Sequence, residues 1–194
     1  MAEIPSDFSI QHLAPQHIDD LLKIAEEQLG SGYLNPHFLK SHLDDDNLIA
    51  LVALVGDEVA GFSLMELCSV DDLAKKVEVE RSWLDINFVN FDPIGYRKIT
   101  AVKKSLSGRG IGSLLVAAGM AELQKHSKAV VSVAWKSSDG GVHIGKLAQK
   151  HDWIPMREIA HYWREDSIKN QYSCSSCGQP PCTCSAVVYA KFYN

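Results

Sequence analysis

The first periodic stretch of the chain runs from Ile18 to Leu29, where Ile18, Leu21, Leu22, Ala25 and Leu29 recur at helical spacing before Gly30. Apolar residues three and four apart share one face of a helix, and a glycine just past the last of them is a stop signal, so an amphipathic helix is expected there. A first strand over DFSIQHL precedes it, and NPHFLKSHLDDD predicts a short second helix starting at Pro36. NLIALVALV is an apolar run of strand length, and GDE turns it back into VAGFSLMELCSV. Together these read as a β-hairpin.

The segment 71–96 mixes acidic residues with Trp83, Phe88, Phe91 and the turn DPIG, and reads as an insertion of helix plus loop. YRKITAVKK then predicts a strand that runs straight into a glycine stretch. After Gly110 the spacing of Ile111, Leu114, Leu115 and Ala118 marks a helix packed on a sheet. KAVVSVAW is the next strand, KSSDGG breaks the chain, and a further helix ends near Lys150. A last pair of strands, WIPMREIAHYW and AVVYAKFY, brackets a cysteine cluster. The order predicts one α/β (α+β) domain over 1–194 around a mixed sheet. Its ligand is expected where strand ends open toward helix starts.

Composition narrows the classes. The chain has 194 residues, 46% of them hydrophobic, enough for one domain with a sizeable core. Its formal net charge of −5 argues against a nucleic-acid partner and confines any polyanion site to a local patch. No apolar run is long enough to span a bilayer, and MAEIPSDFSI lacks the pattern of a secretory signal, so no membrane partner and a cytoplasmic location are expected.

The stretch KKSLSGRGIGS, Lys103 to Ser113, is the first candidate site. A strand leading through glycines into a helix presents free backbone N–H groups and the positive end of the helix dipole, which together bind anions. Lys103, Lys104 and Arg109 add positive charge. The plainer alternative is a tight strand-to-helix turn. A dinucleotide fingerprint needs GxGxxG and an acidic residue about 20 positions on, whereas Gly108, Gly110 and Gly112 give GxGxG and the following strand AVVSVAW carries no carboxylate. A P-loop needs GK[ST], which is also absent.

The stretch resembles the acetyl-coenzyme A signature of the GCN5-related N-acetyltransferase (GNAT) superfamily: a valine-ended strand, then [R/Q]xxGxG, then a helix. Here these positions are Val102, Ser107, Gly108, Arg109, Gly110, Ile111 and Gly112, with Ser107 standing where the family has Arg or Gln. The resemblance implies a mostly antiparallel central sheet flanked by about four helices. It also implies an acetyltransferase that uses acetyl-CoA on a primary amine of a small molecule or protein. Coenzyme binding would fall to Ala101, Val102, Lys104, Ser107, Gly108, Arg109, Gly110, Ile111, Gly112 and Ser113, with strand backbone at 101–102 polarising the thioester carbonyl. The second family segment corresponds to GVHIGKLAQKHDW, where Ala148 replaces the family's frequent general-acid tyrosine. A thiol leaves with little help near neutrality, so that loss is compatible with activity. Glu66 is the first candidate for the base, with His143 and Tyr162, placed on the penultimate strand, as second candidates for base and acid. A coenzyme-binding protein without activity is the main alternative. The loop SSDGGVHIG is acidic and reads as helix capping by Ser138 or Asp139.

Cys174, Cys177, Cys182 and Cys184 spell CxxC, four residues, CxC. Four thiolates suit tetrahedral Zn²⁺ in a closed, structural site, with an iron–sulfur centre or iron as the rivals. This knuckle, 174–184, interrupts the last two strands, and it is expected to brace the acceptor side or a homodimer contact. A nucleic-acid knuckle is disfavoured, because only Lys169 and Lys191 lie near. Cys68 reads as a small buried apolar residue.

Overall fold

The computed structural model describes residues 5–137, 140–142 and 144–193. Strands β1 (Phe8–His12), β2 (Leu48–Val55), β3 (Glu58–Cys68), β4 (Ile94–Val102), β5 (Ala129–Lys136), β6 (Ile154–Ile159) and β7 (Ser185–Phe192) form one sheet in the order β1-β2-β3-β4-β5-β7-β6. Every neighbouring pair is antiparallel except β4 and β5. The helices are α1 (Ile18–Leu29), α2 (Pro36–Asp44), α3 (Val70–Val77), α4 (Arg81–Phe88), α5 (Ile111–Gln124), α6 (Gly145–Lys150) and α7 (Arg164–Asn170). None of the described helices is long and apolar enough to cross a membrane.

The helical periodicities decide which faces are buried. On one face of the sheet α1 and α2 bury Leu21, Ile24, Ala25 and Leu39 against Phe62, Leu64 and Ile99. On the other, α5 buries Ile111, Leu115 and Leu123 against Met65 and Val130. The segment 71–96, read as a helix plus a loop, holds two short helices, and its last three residues already belong to β4. Ser69 caps α3 by accepting from the Asp72 N–H at 3.1 Å. Helices α3 and α4 bury Leu73, Val77, Leu84 and Phe88 beside Tyr96, Val131 and Val188. Phe88 is fully buried and stacks on Phe192 at 5.7 Å. Phe88→Ala is therefore expected to cost about 3–5 kcal/mol, read as a lower denaturant midpoint with an unchanged slope.

The mixed, mostly antiparallel sheet flanked by helices is as expected, and the described α-helices number seven. Helix α7 has only seven residues and follows an aromatic run that reads as strand. The chain leaves β6 at Ile159 and turns through His161, at φ 53°, before α7 begins. Acidic Glu165 and Asp166 in its first turn and Lys169 in its last match the helix dipole.

Candidate active site and metal centre

The parallel pairing of β4 with β5 is brief: it runs from Gly95 opposite Val130 to Arg97 opposite Ser132. Beyond that point the two strands diverge. At the same place the β3–β4 register shifts, so that Met65 faces Arg97, Leu64 faces Ile99, and Lys98 is the extra residue of a bulge. A bulge bends its strand and increases local twist, which accounts for the parting. The Lys103 N–H donates to the Ala60 carbonyl, toward β3. Main-chain groups alternate along a strand, so those of Thr100 and Val102 face the gap.

The gap is a cavity of about 660 Å³. One wall is β4 from Arg97 to Val102, the other Val133–Trp135 of β5, with the end of α1, Trp163 and Ser175–Ser176 closing its sides. Ala101, Val102, Lys104 and Ser107 line it, and residues 108–113 continue from Ser107 into α5. Gly108 and Gly110 have φ of 77° and 90°, which side chains other than glycine's rarely accept. A Cβ at either would meet nothing within 4 Å, so both face open space. No side chain caps α5, and its first main-chain bond runs from the Leu114 N–H to the Gly110 carbonyl. The N–H groups of Ile111, Gly112 and Ser113 thus have no partner within the helix. Lys103 is paired with Glu58, and the Lys104 N–H donates to Glu27 at 2.8 Å. Arg109 is exposed and makes no ion pair among the described residues.

Arg97 stands where the strands part. It is 5% exposed, its Nη1 donates to Ser132 Oγ at 3.0 Å, and its Nε has no partner. No carboxylate pairs with it among the described residues, and burial pulls its guanidinium down to about 10. Beside it, on the α5 face, lie Val116, Ile144, Ala148 and Trp153.

The four knuckle sulfurs lie within 4.8 Å of one another. Separations of 3.4 Å (Cys177–Cys182), 3.8 Å (Cys177–Cys184) and 3.9 Å (Cys174–Cys184) exclude disulfide bonds. They are close to the ~3.8 Å that tetrahedral Zn–S bonds impose. Cys174 and Gly178 exchange both main-chain hydrogen bonds, closing the CxxCG turn. Burial opposes ionisation of Cys177, but hydrogen bonds from the Thr183 N–H and the neighbouring thiols outweigh it and bring that thiol down to about 7. The Trp135 indole donates to Cys184, joining the knuckle to the cleft wall.

The knuckle also holds the end of α1. Ser173 accepts from the Ser31 N–H at 3.2 Å and Ser175 Oγ donates to the Gln28 carbonyl at 3.2 Å. A Cβ on Gly30 would overlap the Ser173 carbonyl oxygen, so only glycine admits this approach. Tyr33 meets Tyr172 edge to face at 5.2 Å, and Leu29, Tyr33, Trp135, Trp163 and Tyr172 form an apolar recess between knuckle and cleft.

No family model matches the chain, and no curated protein sequence does. Solved structures do. Ard1 from Thermoplasma volcanium superposes with a TM-score of 0.66 at 14% identity, covering 97% of this chain and 99% of that one. The NAA60 protein of Arabidopsis thaliana in complex with acetyl-CoA gives 0.67 at 10% identity over 95% and 98%. The ribosomal-protein-S18-alanine N-acetyltransferase of Escherichia coli gives 0.64 at 11% over 96% and 94%. The chain has the GNAT fold.

Within the GNAT fold the expected residues fall into two groups. The coenzyme set gathers along β4 and its loop, as described above. Glu66 and Tyr162 lie elsewhere, converging on Lys76 of α3: Glu66 is 8% exposed and pairs with its ammonium at 2.7 Å, and the Tyr162 hydroxyl donates to its carbonyl at 3.0 Å. Tyr162 is not on the penultimate strand but in the turn after β6, because pairing of β6 with β7 stops at Ile159. Burial, with nearby Glu78, raises its hydroxyl well above the usual range. His143, Ser138 and Asp139 lie outside the described residues. Sequence reasoning missed Arg97, Tyr33, Trp163 and Tyr172. Only Arg97 carried a signal, as a charge inside an otherwise apolar strand.

Proposed function

We propose that the chain is an N-acetyltransferase that moves an acetyl group from acetyl-CoA to a primary amine by direct attack on the thioester. The observation that carries this reading is the parting of β4 from β5 over a glycine loop that ends on an uncapped helix N-terminus. Solved relatives of the same fold hold acetyl-CoA, among them a GNAT family acetyltransferase from Elizabethkingia anophelis.

In this reading the N–H groups of Gly108–Ser113 and the Arg109 guanidinium hold the pyrophosphate. The pantetheine arm pairs with the free main-chain groups of Thr100 and Val102, and one of those N–H groups polarises the thioester carbonyl. The amine enters from the aromatic recess. Tyr33, raised to about 12 chiefly by burial, stays protonated at neutral pH and does not act as a base. Glu66 and Tyr162, both held at Lys76 and outside the residues that line the cleft, are kept as base and acid candidates on sequence alone, and water in the cleft takes the amine proton. His143 is kept as a further base candidate on sequence alone. Zn²⁺ in the knuckle is structural, because four thiolates leave no open position.

The alternative of a coenzyme-binding protein without turnover draws on Ala148, where the family's tyrosine is absent. Free-thiol release from acetyl-CoA across a panel of primary amines, with the acetylated product weighed by mass spectrometry, separates the two. Turnover with at least one amine is expected. Binding of acetyl-CoA without product across small-molecule and peptide amines would favour the alternative.

A further inference from the structure

We infer that Arg97 stabilises the coenzyme A sulfur as a thiolate when the acyl group leaves, taking electrostatically the part that a proton donor at position 148 would have played. The inference rests on the acyl-transfer reading of the same cleft.

Three observations converge. First, the cleft has a direction: the anion-binding loop sits at the wide end, beyond Val102, and the strands meet again at Arg97 and Ser132. Five residue steps of β4 separate the two ends, about 17 Å of strand. An arm anchored by its pyrophosphate at the loop and laid along β4 therefore brings its sulfur end to the apex. Second, Arg97 is buried there as a cation with no carboxylate partner among the described residues, its Nε unpartnered and its side chain bonded, among those residues, to Ser132 alone. Burying an unpaired charge is costly, and structural arginines are normally paired. A group that brings negative charge into the cleft relieves that cost. Third, Arg97 and Ala148 line one small cavity with Val116, Ile144 and Trp153, so Arg97 and position 148 adjoin the same space.

The step balances without a protein acid. The amine nitrogen forms a bond to the acyl carbon, the C–S bond breaks, and its electron pair stays on sulfur. The amine proton passes to water in the cleft. Arg97 gives up no proton: it remains a guanidinium at neutral pH and lowers the energy of the departing anion through charge alone.

The test needs no amine. The thiol of bound coenzyme A is titrated through its ultraviolet thiolate band, as the difference between coenzyme-saturated and free protein. The wild-type complex is expected to titrate at least one pH unit below the ~8.5 of a free thiol, a tenfold stabilisation of the thiolate. Arg97→Gln should return the midpoint to the free value, and Arg97→Lys should keep most of the shift. A purely structural arginine would leave the midpoint unmoved in every variant that still binds coenzyme A, and that result would overturn the inference. Arg97→Met, apolar and of similar length, gives the same comparison if the glutamine variant does not fold. Failure of the wild-type protein to bind coenzyme A would instead remove the acyl-transfer reading itself.

Discussion

Gly110→Asp is expected to cut acetyl-CoA affinity by about a hundredfold or more while the protein stays folded. Gly110 is the N-terminal cap of α5 at φ 90°, and its missing Cβ faces open space, so an aspartate there clashes with nothing in the empty protein. Two effects follow. The backbone is strained in a region that side chains rarely adopt, costing about 1 kcal/mol or more. The larger effect is a carboxylate set among the N–H groups of Ile111, Gly112 and Ser113, where it takes the donors that the proposed pyrophosphate site needs and repels the anion. Loss of those charge-assisted bonds, at roughly 1.5–3 kcal/mol each, puts the drop in affinity on the order of a hundredfold or more. Isothermal titration with acetyl-CoA reads this directly, and circular dichroism confirms the fold. Ser107→Arg is the matched control: Ser107 is exposed at the cavity edge, its side chain bonds among the described residues only to the Lys103 carbonyl, at 3.3 Å, and an arginine there is expected to hold or strengthen affinity. Normal binding by Gly110→Asp would remove the coenzyme assignment of this loop.

The contrast between Gly110 and Arg97 shows which parts of the site can be read from the chain. The glycine loop is local: strand, loop and helix start are contiguous, and the N–H groups it offers follow from its backbone alone. The same holds for the knuckle, whose four sulfurs converge within eleven residues, and for the β2–β3 hairpin. Arg97 becomes informative only through partners far away in sequence. Ser132 meets it through the parallel β4–β5 pairing, and Met65 and Leu64 reveal the bulge that parts the strands. A parallel pair joined by α5 leaves no turn signal from which its register can be counted. Nor does the pattern of Tyr33, Trp163 and Tyr172 announce a recess, since they come from three segments that meet only when the knuckle folds onto α1. Tyr162 fails for a related reason. Aromatic residues favour strands, but pairing with β7 ends three residues earlier, and the tertiary register overrides the propensity.

Removing the metal proposed for the knuckle should separate the two halves of the cleft. In Cys177→Ser/Cys182→Ser two of four ligands go, and the bound metal measured by elemental analysis is expected to fall from about one per chain to near zero. The main cores of the sheet do not include the knuckle, so the protein should still fold. Its own segment is another matter. Cys182 and Cys184 are buried, the Cys182 N–H donates to Ser167 of α7 at 2.9 Å, and Cys184 receives the Trp135 indole. Without metal the Cys184 thiol keeps its proton and weakens as an acceptor, while the main-chain bond from residue 182 to Ser167 is left on a loop that no metal pins. The Ser173 and Ser175 contacts to Ser31 and Gln28, which hold the end of α1, then rest on a loosened loop. Expected results are a melting temperature lower by several degrees, corresponding to ~2–3 kcal/mol for a chain of this size, and faster proteolysis near 172–184. Acetyl-CoA affinity should hold within about threefold, because among the described residues no hydrogen bond or ion pair joins the loop at 107–113 to the knuckle, whereas KM for an amine should rise at least tenfold, ~1.4 kcal/mol. If the double variant kept its metal-free fold, association and amine KM unchanged, the knuckle would not be a brace for the acceptor side.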